Sequence, residues 1–396
     1  LERKYDCSPI WGLIYSDRFL INRSYDYCVR MTVGLFRFFE DVFDGSDIEF
    51  YYDEAIATLQ SYIAYVVGKY NGINYISQMP ARSFDSTHHY FLGDPFQYDT
   101  NFDARYKDKV YSEKTQAAAR EFLDDFEKRN QTPANMRFTG SIPKLRPGYA
   151  KLPFIYFQRR MNRRNTDQYS YMYYRSYERT FDSMRFFFRY QKGRKYYNEP
   201  VYGGKFVYYP LHYQPEASTL VCAQKYEKQL FLIDSLAKSL PADTKLYVKE
   251  HYALLGNRDL DFYRKLEKYP NVLLIDPLES TFNLIKNSVA VITLTGTAGW
   301  EAMLLRKPVL LGGSIFFDNA PGILKFDEIY NKYNELIAGW KEPEREEIVQ
   351  YLCEYLESIR EGTAYTEDPK CFSEENLLKL ATSLMAQLKK LCKTNG

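Results

Sequence analysis

The clearest pattern of hydrophobic and polar positions along the chain lies between residues 271 and 313. Three short apolar, β-branched runs, at 272–275, 289–293 and 308–311, alternate there with two segments whose apolar residues recur at helical spacing. This alternation is typical of parallel βαβ units, in which a helix crosses from each strand to the next. We therefore predict a parallel sheet in this part of the chain.

The same pattern extends upstream and predicts a complete domain. The further elements are strands at 205–209 and 245–251 and helices at 218–240 and 257–268. Together with the first three strands, they make a parallel sheet of five strands separated by four helices. Beyond the sheet, residues 342–361 and 373–393 are predicted to form closing helices.

The first hundred residues follow the pattern less completely. They predict a helix at 17–43, a strand at 48–52, a helix at 54–69 and a strand at 73–77. Asp53 and Glu54 follow the first of these strands and residues 78–82 follow the second, so both loops are expected at the same edge of the sheet. No good strand precedes residue 17, which predicts a truncated or degenerate domain.

Residues 101–202 do not show the alternation of strands and helices. A helix is predicted at 112–129, and residues 151–200 carry twelve Lys or Arg against four Asp or Glu, with Tyr and Phe interleaved. One interpretation is a basic, aromatic surface for an anionic lipid or glycan. The other is a pair of amphipathic helices whose Arg side chains cover aromatic neighbours. Mixed charge and packing favour the second interpretation.

Length and composition narrow the class of protein. A chain of 396 residues exceeds the size of one ordinary core, so two domains are expected. The net charge of +2 neither favours nor excludes a polyanionic partner, and the six cysteines form no Cys-x-x-Cys pair, as expected of free thiols in a reducing compartment. No run approaches the ~20 apolar residues of a membrane span. We expect a cytoplasmic protein, with peripheral contact at the inner membrane left open.

The strand predicted at 289–293 leads into a turn of small residues, Thr-Gly-Thr-Ala-Gly, and then into a helix. Such a turn presents free backbone N–H groups and the positive end of a helix dipole, which suits a phosphate. Thr295 and Thr297 can add hydroxyl groups, and Gly296 lets a ligand approach the backbone. Glu301 can accept hydrogen bonds from ribose hydroxyls or can simply complement the helix dipole.

Other candidate residues are expected at the same edge of the sheet. His251 follows Lys249 at a strand end, where its imidazole can bind a phosphate or help a leaving group depart, unless it only caps the strand. His212 lies in the polar loop at 210–216, where a role in the site and a structural role are equally open. Ser280 begins a helix and is either a site residue or an N-cap.

Several familiar sites are absent from the sequence. The pair His88-His89 has no cysteine or carboxylate at metal-ligand spacing, so we expect no metal site. There is no GxxxxGK[ST] loop and no GxGxxG after a strand, which argues against P-loop enzymes and standard dehydrogenases. No Asp-x-Asp pair follows a strand, which weakens the case for a metal-dependent sugar transferase.

Three motifs together resemble the bacterial capsule polysaccharide synthesis family, which includes the Kdo (3-deoxy-octulosonic acid) transferases. The motifs are YYPLHYQPEAST, KLYVKEH and DPLESTFNLIKNSVAVITLTGTAGWEAMLLRKPVLL, in the expected order between residues 205 and 313. Members of the family are similar to GT-B glycosyltransferases, in which two Rossmann-like domains face a cleft. The resemblance therefore implies an α/β, GT-B-like fold. The implied division is an acceptor-side Rossmann-like domain at 1–100, a helical, basic and aromatic insertion at 101–202, a Rossmann-like domain for a nucleotide sugar at 203–340, and closing helices at 341–396.

The resemblance also implies roles for single residues. His251 matches the His of a Lys-Glu-His-Pro motif that is proposed to contact the donor phosphate, although Tyr252 replaces the stiffening Pro here. The residues expected to bind the donor are Gln214, Lys249, Ser280, Thr295, Gly296, Thr297 and Glu301. The catalytic candidates are His251, Glu216, Asp53 and Glu54, and Arg82 is expected on the acceptor side. Asp53 or Glu54 would deprotonate the acceptor hydroxyl and Arg82 would hold an anionic sugar, but helix ends and loop salt bridges explain these three almost as well.

The function implied is a glycosyltransferase that moves a sugar onto a surface or capsular polysaccharide or a glycolipid. The donor expected is a nucleotide sugar, such as CMP-linked Kdo or a related acidic sugar, with no further cofactor and no metal. Two alternatives stay open on the same fold: a CDP-polyol phosphotransferase and a UDP-sugar epimerase. A third is a non-catalytic protein that binds membrane or nucleic acid through residues 151–200, although no nucleic-acid motif is present.

Overall fold

The structure is a computed structural model that describes residues 1–396 apart from 8, 18, 83–88, 129–141, 145–150, 152–153, 155–156, 159–160, 162–175, 215–221, 227, 364–367 and 395–396. The described helices are α1 (Ile10–Ser16), α2 (Tyr25–Phe43), α3 (Leu59–Tyr70), α4 (Glu113–Lys128), α5 (Ser176–Gly193), α6 (Gln229–Ser239), α7 (Leu260–Leu266), α8 (Thr281–Asn287), α9 (Thr297–Leu304), α10 (Tyr333–Ala338), α11 (Arg345–Ser358) and α12 (Glu374–Thr394). The described strands are β1 (Phe50–Asp53), β2 (Asn74–Pro80), β3 (His89–Gly93), β4 (Lys205–Pro210), β5 (Thr244–Lys249), β6 (Val272–Ile275), β7 (Ala290–Thr293), β8 (Val309–Leu311), β9 (Ile323–Lys325) and β10 (Arg360–Glu361).

The second half of the chain forms a six-stranded parallel sheet in the order β6-β5-β4-β7-β8-β9. The five predicted strands are all present, and β9 adds a sixth. The first strand, β4, lies in the middle, because the chain winds outward to β6 on one side and to β9 on the other. The winding direction therefore reverses between β4 and β7, and a doubly wound sheet opens a crevice outside the carboxyl ends of the strands at that point.

Both faces of this sheet are buried, which explains its apolar strands. Phe206 and Tyr208 of β4 belong to one hydrophobic cluster, together with residues of α4, α8, α9 and α11. Val207 and Tyr209 belong to the cluster on the opposite face, together with residues of α6 and α7. Successive residues of β4 thus point to opposite helix layers, and the result is a three-layered α/β/α domain.

The amino-terminal sheet is mixed and has the order β1-β2-β3-β10. β1 and β2 are parallel, as predicted, whereas β3 and β10 are antiparallel to their neighbours. Helices α1 to α3 bring a separate apolar cluster together beside this sheet, and α12 packs on Ile76, Tyr90 and Leu92. The sheet is α/β, but only one βαβ unit contributes to it among the described residues.

Two predicted helices in this part begin later than expected. The helix predicted from residue 17 begins at Tyr25, where the Ser24 hydroxyl accepts a hydrogen bond from the N–H of Tyr27 at 3.4 Å. Asp17 is instead buried, and its carboxylate accepts the N–H of Leu59 at 2.9 Å. The helix predicted from residue 54 begins at that same Leu59, after the N-cap Thr58. In both cases a side-chain cap, and not the apolar period, determines the first turn.

The helix predicted at 218–240 is also shorter in the structure. α6 begins at Gln229, a 3₁₀ turn covers residues 224–226, and residues 215–221 lie outside the described part. Further along, the helix predicted from residue 342 begins at Arg345. Glu344 and Glu347 form a capping box there, in which each carboxylate accepts a backbone N–H.

The carboxyl-terminal helices join the two sheets. α11 packs against α4 beside the parallel sheet, and then β10 and α12 return the chain to the amino-terminal sheet. One hydrophobic cluster contains residues of both parts, and within it the Phe91 and Phe316 rings lie 5.4 Å apart. Within the described residues, no helix combines the length and apolar character needed to cross a bilayer.

Candidate functional site

The crevice at the carboxyl edge of the parallel sheet is bordered by the loops that follow β4, β5 and β7. His212 lies in the first of these loops and is buried, with only 6% of its surface exposed. The N–H of Leu294 donates to its Nε2 at 2.9 Å, which ties the β4 loop to the turn after β7. The Thr293 hydroxyl lies 3.2 Å from the same nitrogen and accepts the N–H of Gly296 at 3.0 Å.

The backbone of His212 is fixed from the other side. Its N–H donates to the Gln229 side-chain oxygen at 2.8 Å, and its carbonyl accepts the Gln229 amide at 3.1 Å and an Arg258 guanidinium N–H at 3.3 Å. Burial, together with the positive charge of Arg258, lowers the pKa of His212 to about 3. The imidazole is therefore neutral. Because Nε2 accepts a hydrogen bond, the ring proton must be on Nδ1.

The turn after β7 contains two glycines that permit close packing. A Cβ on Gly296 would lie 2.9 Å from Cε1 of His212, and a Cβ on Gly299 would lie 2.8 Å from Cγ2 of Thr293. Only glycine lets this turn and the first residues of α9 approach the strand and the imidazole so closely. Gly296 is the N-cap of α9, so the positive end of the helix and its first N–H groups face the crevice beside Thr297.

Lys249 ends β5 and is buried beside the turn. Its ammonium donates to the carbonyl of Glu279 at 2.6 Å and to the Thr281 hydroxyl at 2.8 Å. These two hydrogen bonds stabilise the loop between β6 and α8. Burial lowers the pKa of Lys249 to about 8, while the negative charge of Glu301 opposes the shift. A buried ammonium at this edge supplies positive charge to the crevice.

Glu301 lies one turn into α9 and is 2% exposed. Burial raises its pKa to about 7, and the charges of Lys249 and Arg82 act in the opposite direction. No described residue gives its Oε2 a hydrogen-bond partner. A buried carboxylate oxygen without a partner is costly in an empty site and is available to a ligand hydroxyl.

Arg82 approaches this group from the amino-terminal sheet. It follows β2, and its backbone N–H donates to the Tyr355 hydroxyl of α11. Its charge lowers the pKa of both Glu301 and Tyr355 against the effect of burial. The structure thus brings the predicted acceptor-side arginine near the predicted donor-side carboxylate.

His251 follows Lys249 and is partly buried. Its ring stacks on Tyr252, with centroids 4.7 Å apart and planes at 27°, and stands edge-on to Tyr213 at 6.0 Å. Tyr252 occupies the position where the family motif has proline, and its ring contact orients the imidazole. Burial lowers the pKa of His251, although the nearby Glu250 carboxylate opposes the shift, so the ring is mainly neutral at pH 7.

Glu250, between these two residues, forms a buried ion pair. Arg258 donates to its carboxylate at 2.8 Å, and the Tyr263 hydroxyl and the N–H of His251 donate at 2.9 Å each. Sequence reasoning did not single out Arg258 or Tyr263. The signal that could have found them is Glu250 itself, because a carboxylate at the end of a buried strand requires a positive partner.

Other predicted site residues have local roles. The Ser280 hydroxyl accepts the N–H of Asn283 at 3.2 Å, so it caps α8. The hydrogen bonds to the Asp53 carboxylate come from its own surroundings, from Tyr51, Ser61 and the N–H of Glu54. Glu54 is exposed. Asp53 ends β1 and Glu54 follows it, on the side where Arg82 follows β2, but among the described residues neither carboxylate has a hydrogen bond or ion pair with α9.

The remaining candidates are placed as follows. Thr295 is buried, Thr297 is the first residue of α9, and Gln214 is the last described residue of the β4 loop. Glu216 lies outside the described residues. His89 begins β3, away from the parallel sheet, and in the described part of the chain no three His, Cys, Asp or Glu side chains group as metal ligands.

Comparison with known proteins identifies the region that builds this crevice. The model of the capsule polysaccharide biosynthesis protein family matches residues 205–351. These residues contain β4 to β9 and the three loops, so the resemblance predicted from the three motifs is confirmed over this range. No curated protein sequence matches the chain.

Solved structures with similar folds include two transferase domains and an epimerase. The beta Kdo 2,4 transferase of Thermosulfurimonas dismutans KpsC is 11% identical, covers 80% of this chain over 82% of its own, and has a TM-score of 0.41. The beta Kdo 2,7 transferase of the same protein is 13% identical, with coverages of 74% and 73% and a TM-score of 0.35. The UDP-GlcNAc 2-epimerase of Methanocaldococcus jannaschii is 11% identical, with coverages of 82% and 80% and a TM-score of 0.32. At these scores, the likeness adds nothing to the family match.

Proposed function

We propose that the protein is a nucleotide-sugar-dependent glycosyltransferase of capsule or surface polysaccharide synthesis. The observation that carries the proposal is the crevice between β4 and β7, because its three loops all lie in the residues that match the capsule family. The crevice combines an open helix N-terminus at Gly296, a buried ammonium at Lys249 and a buried carboxylate oxygen of Glu301 that has no partner among the described residues. The helix N-terminus and the ammonium suit the phosphate of a nucleotide, and the carboxylate oxygen suits its ribose.

In this proposal, the donor phosphate lies at the turn 295–299, and His251 stands beside it. A neutral imidazole can donate a hydrogen bond to the phosphate. As negative charge develops on the leaving group, it can also take up, through solvent, the proton that the acceptor hydroxyl releases. The Tyr252 and Tyr213 rings hold the imidazole in place. His251 is therefore the proposed residue for leaving-group stabilisation.

The donor sugar is proposed to be acidic, such as Kdo from a CMP-linked donor. Arg82 supports this choice, because its guanidinium lies close enough to Glu301 to lower the pKa of that carboxyl. A guanidinium that faces the crevice from the amino-terminal sheet can bind a sugar carboxylate in bidentate geometry. No cofactor other than the nucleotide sugar is proposed.

The base that activates the acceptor is proposed among Glu216, Asp53 and Glu54. Asp53 already accepts three hydrogen bonds, so the exposed Glu54 is the better placed of the two carboxylates that end β1. The acceptor proposed is a polysaccharide or glycolipid, which would reach the crevice from the amino-terminal side. Peripheral contact with a membrane is part of the same proposal.

Nucleotide binding and transfer test the proposed function. Calorimetric titration with CMP, CDP, UDP and GDP should show binding of at least one nucleotide, and the matching nucleotide sugar should be consumed when acceptor is present. His251→Ala should lower the turnover rate by about a hundredfold or more, because it removes a group that stabilises the leaving phosphate. His89→Ala, at the start of β3, is the matched control and should react as the wild type does. If no nucleotide binds, the proposed function is wrong.

A further inference from the structure

Among the described residues, one ring nitrogen of His212 has a hydrogen-bond partner and the other has none. Nε2 accepts the N–H of Leu294 at 2.9 Å, so in the neutral ring Nδ1 carries the proton. Among the described residues, none accepts a hydrogen bond from this Nδ1–H. The residue as a whole is 94% buried, but Nδ1 is not one of the fully enclosed polar atoms that lack a partner, so a ligand can reach this donor.

The unused donor faces the N-cap of α9. A Cβ on Gly296 would lie 2.9 Å from Cε1 and 3.4 Å from Nδ1 of His212, so the ring edge that carries the proton lies against the turn. In the first turn of α9, the N–H of Gly299 donates to the Gly296 carbonyl at 3.0 Å, whereas no described residue accepts the N–H groups of Thr297 and Ala298, which open on the same space. The positive end of the helix and a neutral N–H donor therefore converge on one small region, which suits an anionic oxygen.

The surroundings of the ring keep it in this orientation. Gln229 binds both the N–H and the carbonyl of His212, and Arg258 donates to the same carbonyl. The Tyr209 ring stands edge-on at 6.2 Å. A side chain that is fixed in this way loses little conformational freedom when it binds a ligand, so its hydrogen bond contributes to affinity more fully.

We propose that His212 donates its Nδ1–H to the phosphate group that binds at the amino end of α9. This inference rests on the proposed function for the source of the phosphate, which is the nucleotide of the donor. His212 is then a phosphate-binding residue in addition to His251, and the two imidazoles have different tasks. His251 can change its charge during the reaction, whereas His212 stays neutral and holds the phosphate in the same way before and after transfer.

Two substitutions separate this role from a structural one. In His212→Gln, the side-chain amide reaches the former position of Nε2 and can accept the N–H of Leu294, but the donor at Nδ1 is lost. In His212→Asn, the amide takes the position of Nδ1 and can donate, but the bond from Leu294 is lost. We expect the Gln variant to melt close to the wild type and to bind the nucleotide about tenfold or more weakly, with unchanged affinity for the nucleoside. The Asn variant should melt several degrees lower and keep most of its affinity for the nucleotide.

The titrations use the tightest binder among CMP, CDP, UDP and GDP, its nucleoside, and inorganic phosphate. If the folded Gln variant binds the nucleotide as tightly as the wild type, the proposed contact is wrong. If the wild type binds no nucleotide but binds inorganic phosphate, and this binding weakens in the Gln variant, the contact at His212 stands while the proposed glycosyltransferase function fails. If the wild type binds neither, both proposals fail.

Nuclear magnetic resonance of the wild-type protein tests the same contact and does not depend on whether the variants fold. The chain has four histidines, so ¹⁵N labelling of histidine gives few signals to assign. We expect the His212 ring in the Nδ1–H form before ligand is added, and a shift of its Nδ1 signal with nucleotide or phosphate but not with the nucleoside. An Nε2–H form, or an Nδ1 signal that does not move when the nucleotide binds, would contradict the proposal.

Discussion

Lys249, Glu250 and Glu301 are ionisable residues buried at the carboxyl edge of the parallel sheet. Taking charged groups out of water is costly unless each is paired, and here the pairing is uneven. Glu250 has Arg258 and two further donors, and Lys249 has two oxygen acceptors. In the described part of the chain, Oε2 of Glu301 has no hydrogen-bond partner, and the carboxyl is influenced by the charges of Lys249 and Arg82. The least satisfied of these groups is therefore the one that faces the proposed ribose.

The stability of the protein should depend on pH through Glu301. The folded protein holds its carboxyl proton up to about pH 7, whereas the unfolded chain releases it near pH 4.5. Within this window the unfolded state binds fewer protons than the folded state, so stability falls as pH rises. The loss levels off above pH 7, where both states have released the proton. Glu301→Gln removes this loss. The free energy of unfolding of the variant, relative to the wild type, should rise by about 2–3 kcal/mol between pH 5 and pH 8.

Urea denaturation of both proteins at several pH values between 5 and 8.5 measures this difference. Glu335→Gln, on the exposed side of α10, is the control for the loss of one carboxylate and should run parallel to the wild type. A constant difference between Glu301→Gln and the wild type over this range would show that Glu301 is ionised in the folded protein as readily as in the unfolded chain.

At the scale of elements, the site depends on how closely α9 approaches β7. Three residues separate the end of the strand from the start of the helix, and the small first residues of the helix leave room for the Thr293 and Phe317 side chains. The close approach keeps the amino end of α9 beside His212 and directs its first N–H groups into the crevice. A larger side chain in this turn would move the helix away from the strand and would disturb the proposed phosphate site.

Gly299→Ala tests this packing. The added Cβ would lie 2.8 Å from Cγ2 of Thr293 and 3.2 Å from Cε2 of Phe317, so we expect a loss of about 1–3 kcal/mol in the free energy of unfolding and weaker nucleotide binding. Gly34→Ala is the matched control, because Gly34 is exposed within α2 and no atom lies within 4 Å of its added Cβ. That change should stabilise the protein by about 0.5–1 kcal/mol through helix propensity. Equal stability of the two variants would contradict the close packing.

At the scale of the whole molecule, the two sheets are joined by contacts of several kinds. The Tyr98 hydroxyl donates to Asp318 at 2.7 Å, and the Phe91 ring packs on Phe316. Glu354 of α11 accepts hydrogen bonds from the segment at 103–111. Because the hydrophobic cluster is continuous across the junction, the placement of Arg82, whose charge acts on Glu301, depends on both parts of the chain.

Phe91→Ala should therefore destabilise both sheets together. Loss of a buried phenylalanine costs about 3–5 kcal/mol, and Phe91 lies in the cluster that also contains Trp300 and Phe316. Hydrogen exchange should show faster exchange of the amides of β2 and of β7. Ile63→Ala, in the separate amino-terminal cluster, is the control and should increase exchange in the amino-terminal part only. Unchanged protection of β7 in Phe91→Ala would show that the two parts unfold independently.

The strands of the parallel sheet, and the edge at which the candidate site lies, could be predicted from the sequence alone. β4 to β8 are each within about two residues of their predicted bounds, because strands buried on both faces give long apolar runs that need no information from distant residues. The turn at 295–299 and the position of His251 at a strand end followed from the same local pattern. Helix starts were predicted less well, since Ser24 and Thr58 cap helices at points that the apolar period does not mark.

The way in which distant segments meet depends on tertiary packing and could not be predicted. The antiparallel β3 and β10, the contact between His212 and Leu294, and the approach of Arg82 to Glu301 all join residues that are far apart in the chain. Periodicity describes which face a residue presents, but not which residue will lie opposite to it. The tautomer of His212 and the raised pKa of Glu301 follow from burial and from partners that the fold supplies. The sequence thus determined the edge of the sheet where chemistry was expected, and the packing across it decided the protonation and orientation of each group there.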